Sequence, residues 1–159
     1  MFRAATRDDL VALRDLERAA SLAALGHVFP PERYPYPDDA VLARWAIVLD
    51  DPEVEVLVAE EDGELTVLAA YDDETLRHLA VRPDRWSGGL GSAAVDAVLR
   101  ALAERGCRVA SLWCLEENHR ARTLYERLGW AATEDRREAP WPPHPVEMRY
   151  SRPLSDPGG

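Results

Sequence analysis

The sequence predicts an α/β domain built on a sheet of mixed strand directions, in the order βααβββαβαββ. Three observations carry this. Apolar residues recur at helical spacing through residues 10–49. From Val54 the pattern changes to alternation or to short continuous apolar runs, the mark of strands. Between them in weight stands the stretch 76–105, which reads as a strand, a glycine-rich loop and a long helix, and the rest of the chain is organised around it.

Each element has its own reason. Residues 2–5 form a first strand, and Thr6, followed by Asp8 and Asp9, is an N-cap with acids in the first turn. Leu10, Leu13, Leu16 and Ala20 then share one helical face, which ends near Gly26. Residues 27–39, HVFPPERYPYPDD, are dense in proline and aromatics and read as a stiff loop. Asp38 or Asp39 caps a second helix carrying Val41, Leu42, Trp45, Val48 and Leu49. Residues 53–60 are a strand, Glu61-Asp62-Gly63 a hairpin turn and residues 65–71 its partner. Asp72-Asp73 turns into the next strand, whose apolar residues are Leu76, Leu79, Ala80 and Val81, and Pro83 ends it.

Gly88, Gly89 and Gly91 let the backbone turn with its amides uncovered. The helix behind them is apolar almost all round, with Asp96, Arg100 and Glu104 as its one charged stripe, so it packs on a sheet. Its N-terminus is an anion site, most naturally for a phosphate. Gly106 ends the helix, and residues 109–115, VASLWCL, are apolar on both faces as a central strand requires. Asn118 starts a short helix with Ala121, Leu124, Tyr125 and Leu128 on one face, stopped by Gly129. Residues 131–138 and 146–151 close the sheet as an antiparallel pair. Residues 1–154 are read as a single domain and 155–159 as a disordered tail.

Composition narrows the function. The net charge of −10 argues against a nucleic-acid partner and suits a cationic acceptor such as an amine, though an acidic surface often serves solubility alone. No apolar run approaches the roughly 18 residues of a membrane span, and an N-terminus charged from Arg3 is not a signal peptide. Cys107 and Cys114 lack redox or metal spacing, which places the protein in a reducing cytoplasm. His27, His78, His119 and His144 share no ligand spacing either, so no metal is expected. All nineteen basic residues are arginine.

Two motifs then carry a resemblance. Val81-Arg82-Pro83 is followed by Trp86-Ser87-Gly88-Gly89-Leu90-Gly91, and further on stand Asn118, Ala121, Tyr125, Gly129 and Trp130. Together, at this separation, they resemble the GNAT superfamily of N-acetyltransferases, over essentially the whole chain. Trp86 replaces the usual Arg or Gln, and Trp130 the usual Phe. The resemblance implies a mixed, mostly antiparallel central sheet with helices on both faces. It also implies acetyl-CoA as the acetyl donor, lying where the 79–81 strand splays from the 109–115 strand. Its pantetheine arm would pair with backbone at Leu79 and Val81. Its pyrophosphate would sit on amides from Ser87 to Ser92, that is Ser87, Gly88, Gly89, Leu90, Gly91 and Ser92, beside Trp86, with Asn118 at the same cleft. Arg82, Arg85, Arg120 and Arg122 are the nearby cations. The acceptor would be a primary amine of a small molecule or peptide, and a homodimer fits the closing strand pair.

Acetyl transfer needs a neutral amine and a stabilised thiolate. A lysine-type amine, pKa about 10.4, is almost wholly charged at pH 7, whereas an α-amino group, about 7.7–8.0, is roughly one-tenth neutral. Glu74 and His78, spaced to share a strand face, are candidate bases, with Glu147 a third. His78 has the better ordinary pKa. The alternatives are a histidine tucked against backbone and a solvated turn glutamate. Tyr125 is the family's candidate acid for the departing thiolate, and hydrogen bonding to sulfur is its minimum role. Phe29, Tyr34, Tyr36 and Trp141 are candidate walls of the acceptor pocket. Two other readings compete. Gly89-Leu90-Gly91-Ser92-Ala93-Ala94 satisfies a dinucleotide fingerprint, and a CoA-binding module without turnover would carry the same motifs.

Overall fold

The computed structural model describes residues 1–155; residues 156–159, most of the expected tail, lie outside the described part. Its elements are β1 (Arg3–Ala4), α1 (Leu10–Ala24), α2 (Asp38–Asp50), β2 (Glu55–Glu61), β3 (Glu64–Tyr71), β4 (Thr75–Val81), α3 (Leu90–Glu104), β5 (Val109–Leu115), α4 (His119–Arg127), β6 (Ala131–Glu138) and β7 (Val146–Pro153). This is the expected βααβββαβαββ order. Seven strands form one sheet in the order β1-β2-β3-β4-β5-β7-β6. Every neighbouring pair is antiparallel except β4 and β5, which run parallel. That arrangement excludes the doubly wound parallel sheet on which the dinucleotide reading depended.

Alternation along the strands sorts two cores. Val56, Val58, Leu68 and Ala70 pack with Leu13, Leu16, Val41, Trp45 and Val48 of α1 and α2. Ala59, Val67, Ala69 and Leu112 pack on the other face with Ala94, Val95, Val98 and Leu102 of α3 and Tyr125 of α4. Period two in the strands and period 3.6 in the helices meet on both sides. The exposed stripe of α3 is held by the Asp96–Arg100 pair at 3.2 Å. Asp62 and Gly63 both take positive φ, 53° and 79°, as a two-residue hairpin turn demands.

Two local expectations change. Asp38 opens α2 from within rather than capping it, and its carboxylate pairs with Arg18 at 3.4 Å. More consequential is a β-bulge in β4. The register with β3 runs Ala70↔His78 and then Tyr71↔Leu76, so Arg77 is an extra residue. Leu76 therefore belongs to the α3 core, whereas Ala80 belongs to the α1–α2 core. The bulge breaks the alternation that would have put Glu74 and His78 on one face.

Candidate active site

β4 and β5 are paired only at Thr75↔Ser111 and Leu76↔Leu112; beyond this they part. The Arg82 amide donates to the Thr66 carbonyl of the β3 side at 2.8 Å. By strict alternation His78 and Ala80 also face β3, so Leu79 and Val81 turn their N–H and C=O groups to the opposite, open edge. That edge is open to a short length of extended chain. The Val81 carbonyl already has a partner, however: Trp86 Nε1 donates to it at 2.9 Å. The indole is pinned on its other side by the Arg120 guanidinium, 3.9 Å from the ring centroid.

The glycine loop runs from the open edge into α3. Ser87 (φ 68°) and Gly89 (φ 82°) both adopt left-handed backbone, which turns successive amides toward one side. The Ala93 amide donating to the Gly89 carbonyl at 3.0 Å is the first helical bond. Leu90, Gly91 and Ser92 thus carry amides with no intrahelical acceptor. Gly91 is needed for packing, since a Cβ there would meet Leu124 Cδ2 at 3.3 Å and Val81 Cγ2 at 3.6 Å. Gly88 departs from expectation. It does not line the cleft, its amide points back to the Arg85 carbonyl at 3.4 Å, and it serves to make that turn tight.

The cations also sort differently. Arg82 pairs with Asp84 and Glu64, at 2.6 and 3.0 Å, and Arg85 with Glu61 at 2.8 Å. Arg122 donates to Tyr150 Oη and the Glu116 carbonyl. Arg82 and Arg122 do not line the cleft, whereas Arg85 lines it with its charge already paired. Arg120 remains at the cleft, joined by Arg127, which reaches Ser92 Oγ at 3.5 Å. Arg127 was invisible in the sequence because its position depends on how α4 packs beside α3.

A continuous cleft of about 1470 Å³ joins this loop to the other end of the parted strands. It is lined by Trp86, Ser87, Gly89, Leu90, Gly91 and Ser92 at one end, and by Phe29, Tyr34, Tyr36 and Trp141 at the other. Leu79, Val81, Asn118 and Tyr125 line the waist. At the far end Arg44 grips Glu17 with distances of 2.5 and 2.6 Å, and Tyr36 Oη donates to the same carboxylate at 3.3 Å. Burial, helped by the Glu17 charge, pushes the Tyr36 hydroxyl pKa well up.

His78 reaches this end against the Trp45 ring, 5.1 Å between centroids. Burial, then the positive charges of Arg44 and Arg77, lower its pKa to about 3, so the imidazole is neutral and a weak base. The expectation that its ordinary pKa suits it to proton abstraction is corrected by this burial. Glu74 is corrected too. It is exposed, absent from the cleft, and lies in the β3–β4 turn, where its amide donates to Asp72 Oδ1 at 2.9 Å. Glu147 does line the cleft, paired with Arg137 at 2.9 Å.

Tyr125 is buried, edge-on to Trp130 at 6.0 Å and tilted to Tyr150 at 6.2 Å. Burial raises its pKa far above the usual tyrosine value, so it keeps its proton and has an O–H to donate. Asn118 caps α4, its Oδ1 accepting from the Ala121 amide at 3.2 Å; its side-chain NH₂ is left for the cleft.

An open strand edge, bare amides at a helix start and a waist holding a tyrosine make an extended cleft with one anion-binding end. The sequence model described as the acetyltransferase (GNAT) family matches residues 14–130, most of the chain. The chain belongs to the GNAT family. Within that family of acyltransferases, a ribosomal-protein-S18-alanine N-acetyltransferase from Escherichia coli superposes with a TM-score of 0.72 at 24% identity, covering 98% of this chain and 94% of that one. A PaiA N-acetyltransferase from Thermoplasma acidophilum, solved in complex with coenzyme A, gives a TM-score of 0.74 at 13% identity, covering 97% and 98%. At these identities the likeness is of fold. A mycothiol acetyltransferase from Streptomyces scabiei (strain 87.22) is 43% identical over 56 residues, 35% of this chain. The chain matches only 18% of the length of that relative.

Proposed function

We propose that this protein moves an acetyl group from acetyl-CoA to a primary amine of low pKa, an α-amino group on a small molecule or peptide. The observation that supports this most is the cleft running from bare backbone amides to an aromatic chamber whose two carboxylates, Glu17 and Glu147, are paired with Arg44 and Arg137 and whose inner histidine, His78, is packed on Trp45. The donor end suits acetyl-CoA. Leu79 and Val81 offer extended backbone to the pantetheine arm, the amides of Ser87 and of Gly89 to Ser92 suit a diphosphate, and Arg120 and Arg127 supply charge. A backbone amide near Leu79, on the open edge, is the donor we assign to polarising the thioester carbonyl.

The acceptor end suits an amine that arrives neutral. Moving a proton from an ammonium of pKa about 8 to an imidazole of pKa about 3 is uphill by roughly 7 kcal/mol. Glu17 and Glu147 are occupied by Arg44 and Arg137. His78 therefore acts as a neutral acceptor that orients the N–H of the attacking amine, and the amine's proton goes to water in the open cleft. When the thioester breaks, Tyr125 donates a hydrogen bond to the departing sulfur. Full proton transfer from so weak an acid is not required, because the thiolate is stable as it leaves. The aromatic walls, Phe29, Tyr34 and Trp141, suit an acceptor with an apolar face beside its amine.

The test is thiol release from acetyl-CoA across acceptors of different amine pKa. For an alanyl peptide against a peptide whose only amine is a lysine side chain, kcat/KM at pH 7 is expected to favour the α-amine by at least a hundredfold, the ratio of neutral fractions. Equal rates would contradict the reading. Tight acetyl-CoA binding with no thiol release for any amine would favour a module without turnover.

A further inference from the structure

The four histidines share no ligand spacing along the chain, yet the fold brings two of them together. His27 lies in the loop after α1, and His119 opens α4, next to the Asn118 cap. Their rings stack with centroids 6.2 Å apart and planes 16° from parallel. Glu117 completes the group. Its carboxylate is 3.3 Å from His119 Nε2, and its carbonyl lies 2.8 Å from His27 Nε2. One ligand atom from each of the three side chains falls within 4.8 Å of the others.

We propose that His27, Glu117 and His119 form a divalent transition-metal site that clips the α1–α2 loop across the acceptor mouth. The donor set, two imidazoles and one carboxylate, is suited to Zn²⁺ with water in its remaining position. Metal–ligand bonds near 2.0–2.1 Å put ligand atoms about 3.3 Å apart, so the three groups close by roughly an ångström on binding. All three are exposed, which leaves their side chains free to make that movement and leaves the ion accessible to solvent. Among the described residues this is the group of histidines, cysteines and acids with metal-ligand proximity.

The position gives the site a purpose apart from chemistry. His27 precedes the proline-rich segment that brings Phe29, Tyr34 and Tyr36 to the cleft, while His119 borders the cleft from α4. Among the described residues, the side-chain hydrogen bond from His27 to the β5–α4 turn is one exposed bond, to the Glu117 carbonyl. A metal replaces that weak tie with coordinate bonds and holds the acceptor chamber in one shape. It stands at the rim, away from the thioester, and takes part in no bond breaking.

The experiment uses full-length protein stripped with chelator and then titrated with Zn²⁺ by calorimetry and with Co²⁺ by visible absorbance. Saturable one-to-one binding with visible d–d bands is expected, together with a rise in melting temperature. His27→Ala and His119→Ala should each weaken binding at least tenfold, and His144→Ala should leave it unchanged. All three positions are exposed, and circular dichroism of each variant is the check on its folding. Zn²⁺ should also slow tryptic cleavage after Arg33 in the wild type and not in His27→Ala. Absence of saturable uptake, or uptake indifferent to both substitutions, overturns the site. Unchanged cleavage after Arg33 in the metal-loaded protein overturns the clip.

Discussion

Trp86 occupies the position where the family usually places Arg or Gln, and its indole N–H caps a carbonyl at the open edge. Trp86→Phe removes that donor while keeping an aromatic face under Arg120. The lost hydrogen bond is a neutral pair at a solvent-accessible cleft, worth about 1 kcal/mol. For a chain of this size that lowers the melting temperature by about 2–4 °C. The effect on acetyl-CoA has the opposite sign. A pantetheine amide no longer has to displace the indole from Val81, and about 1 kcal/mol converts to roughly fivefold tighter binding. Calorimetric titration of acetyl-CoA into both proteins, with thermal melts alongside, reads both numbers. A tenfold loss of affinity in the variant would refute the reasoning, because it would mean that the indole N–H serves the ligand and not Val81.

Tyr125→Phe should lower kcat at least tenfold and leave acetyl-CoA binding within about twofold, measured by thiol release and calorimetry; unchanged turnover would make Tyr125 a packing residue alone. For His78, the kcat/KM profile should rise with the neutral fraction of the acceptor and show no enzyme ionisation near pH 6.5. Its folded pKa lies below its unfolded one, so the unfolded chain binds the extra proton. Stability is thus full above about pH 6.5 and falls by up to about 1.4 kcal/mol per unit as pH drops toward 3, a slope that His78→Gln should flatten in denaturant titrations. Asp9 accepts two bonds from Arg3, both 2.9 Å, and one from the Thr6 amide at 2.8 Å. The Arg3 guanidinium holds its pKa below the ordinary carboxylate value. Asp9→Asn should cost about 1–3 kcal/mol at pH 7. Because wild-type Asp9 loses its charge as pH falls through that lowered pKa, the difference should shrink below about pH 4 in urea melts.

What the sequence revealed depended on whether the signal was local. The strand at 109–115 has the same limits in the structure because a run apolar on both faces has only a central place in a sheet. Asn118 and Gly129 bound α4 as cap and stop because capping is chemistry within one turn. The glycine loop was legible for the same reason. The bulge at Arg77 was not, since β4 alone gives no sign of which of its residues β3 will leave unpaired. With it went the shared face of Glu74 and His78. Nor did the sequence show that Arg82 and Arg85 are engaged by Glu64 and Glu61, which they reach only when β4 runs back along β3 to the β2–β3 hairpin. Burial of His78 under Trp45 is likewise tertiary, and it changes the residue from a base into a neutral acceptor.

Amide hydrogen exchange with and without acetyl-CoA, resolved residue by residue by NMR, reads the donor site directly. Protection is expected to rise at Leu79 and Val81 and at the loop amides of Ser87, Gly89, Leu90, Gly91 and Ser92, with Gly88 changing least. Saturating acetyl-CoA that leaves those amides exchanging as before, or that protects a different surface, would contradict the account.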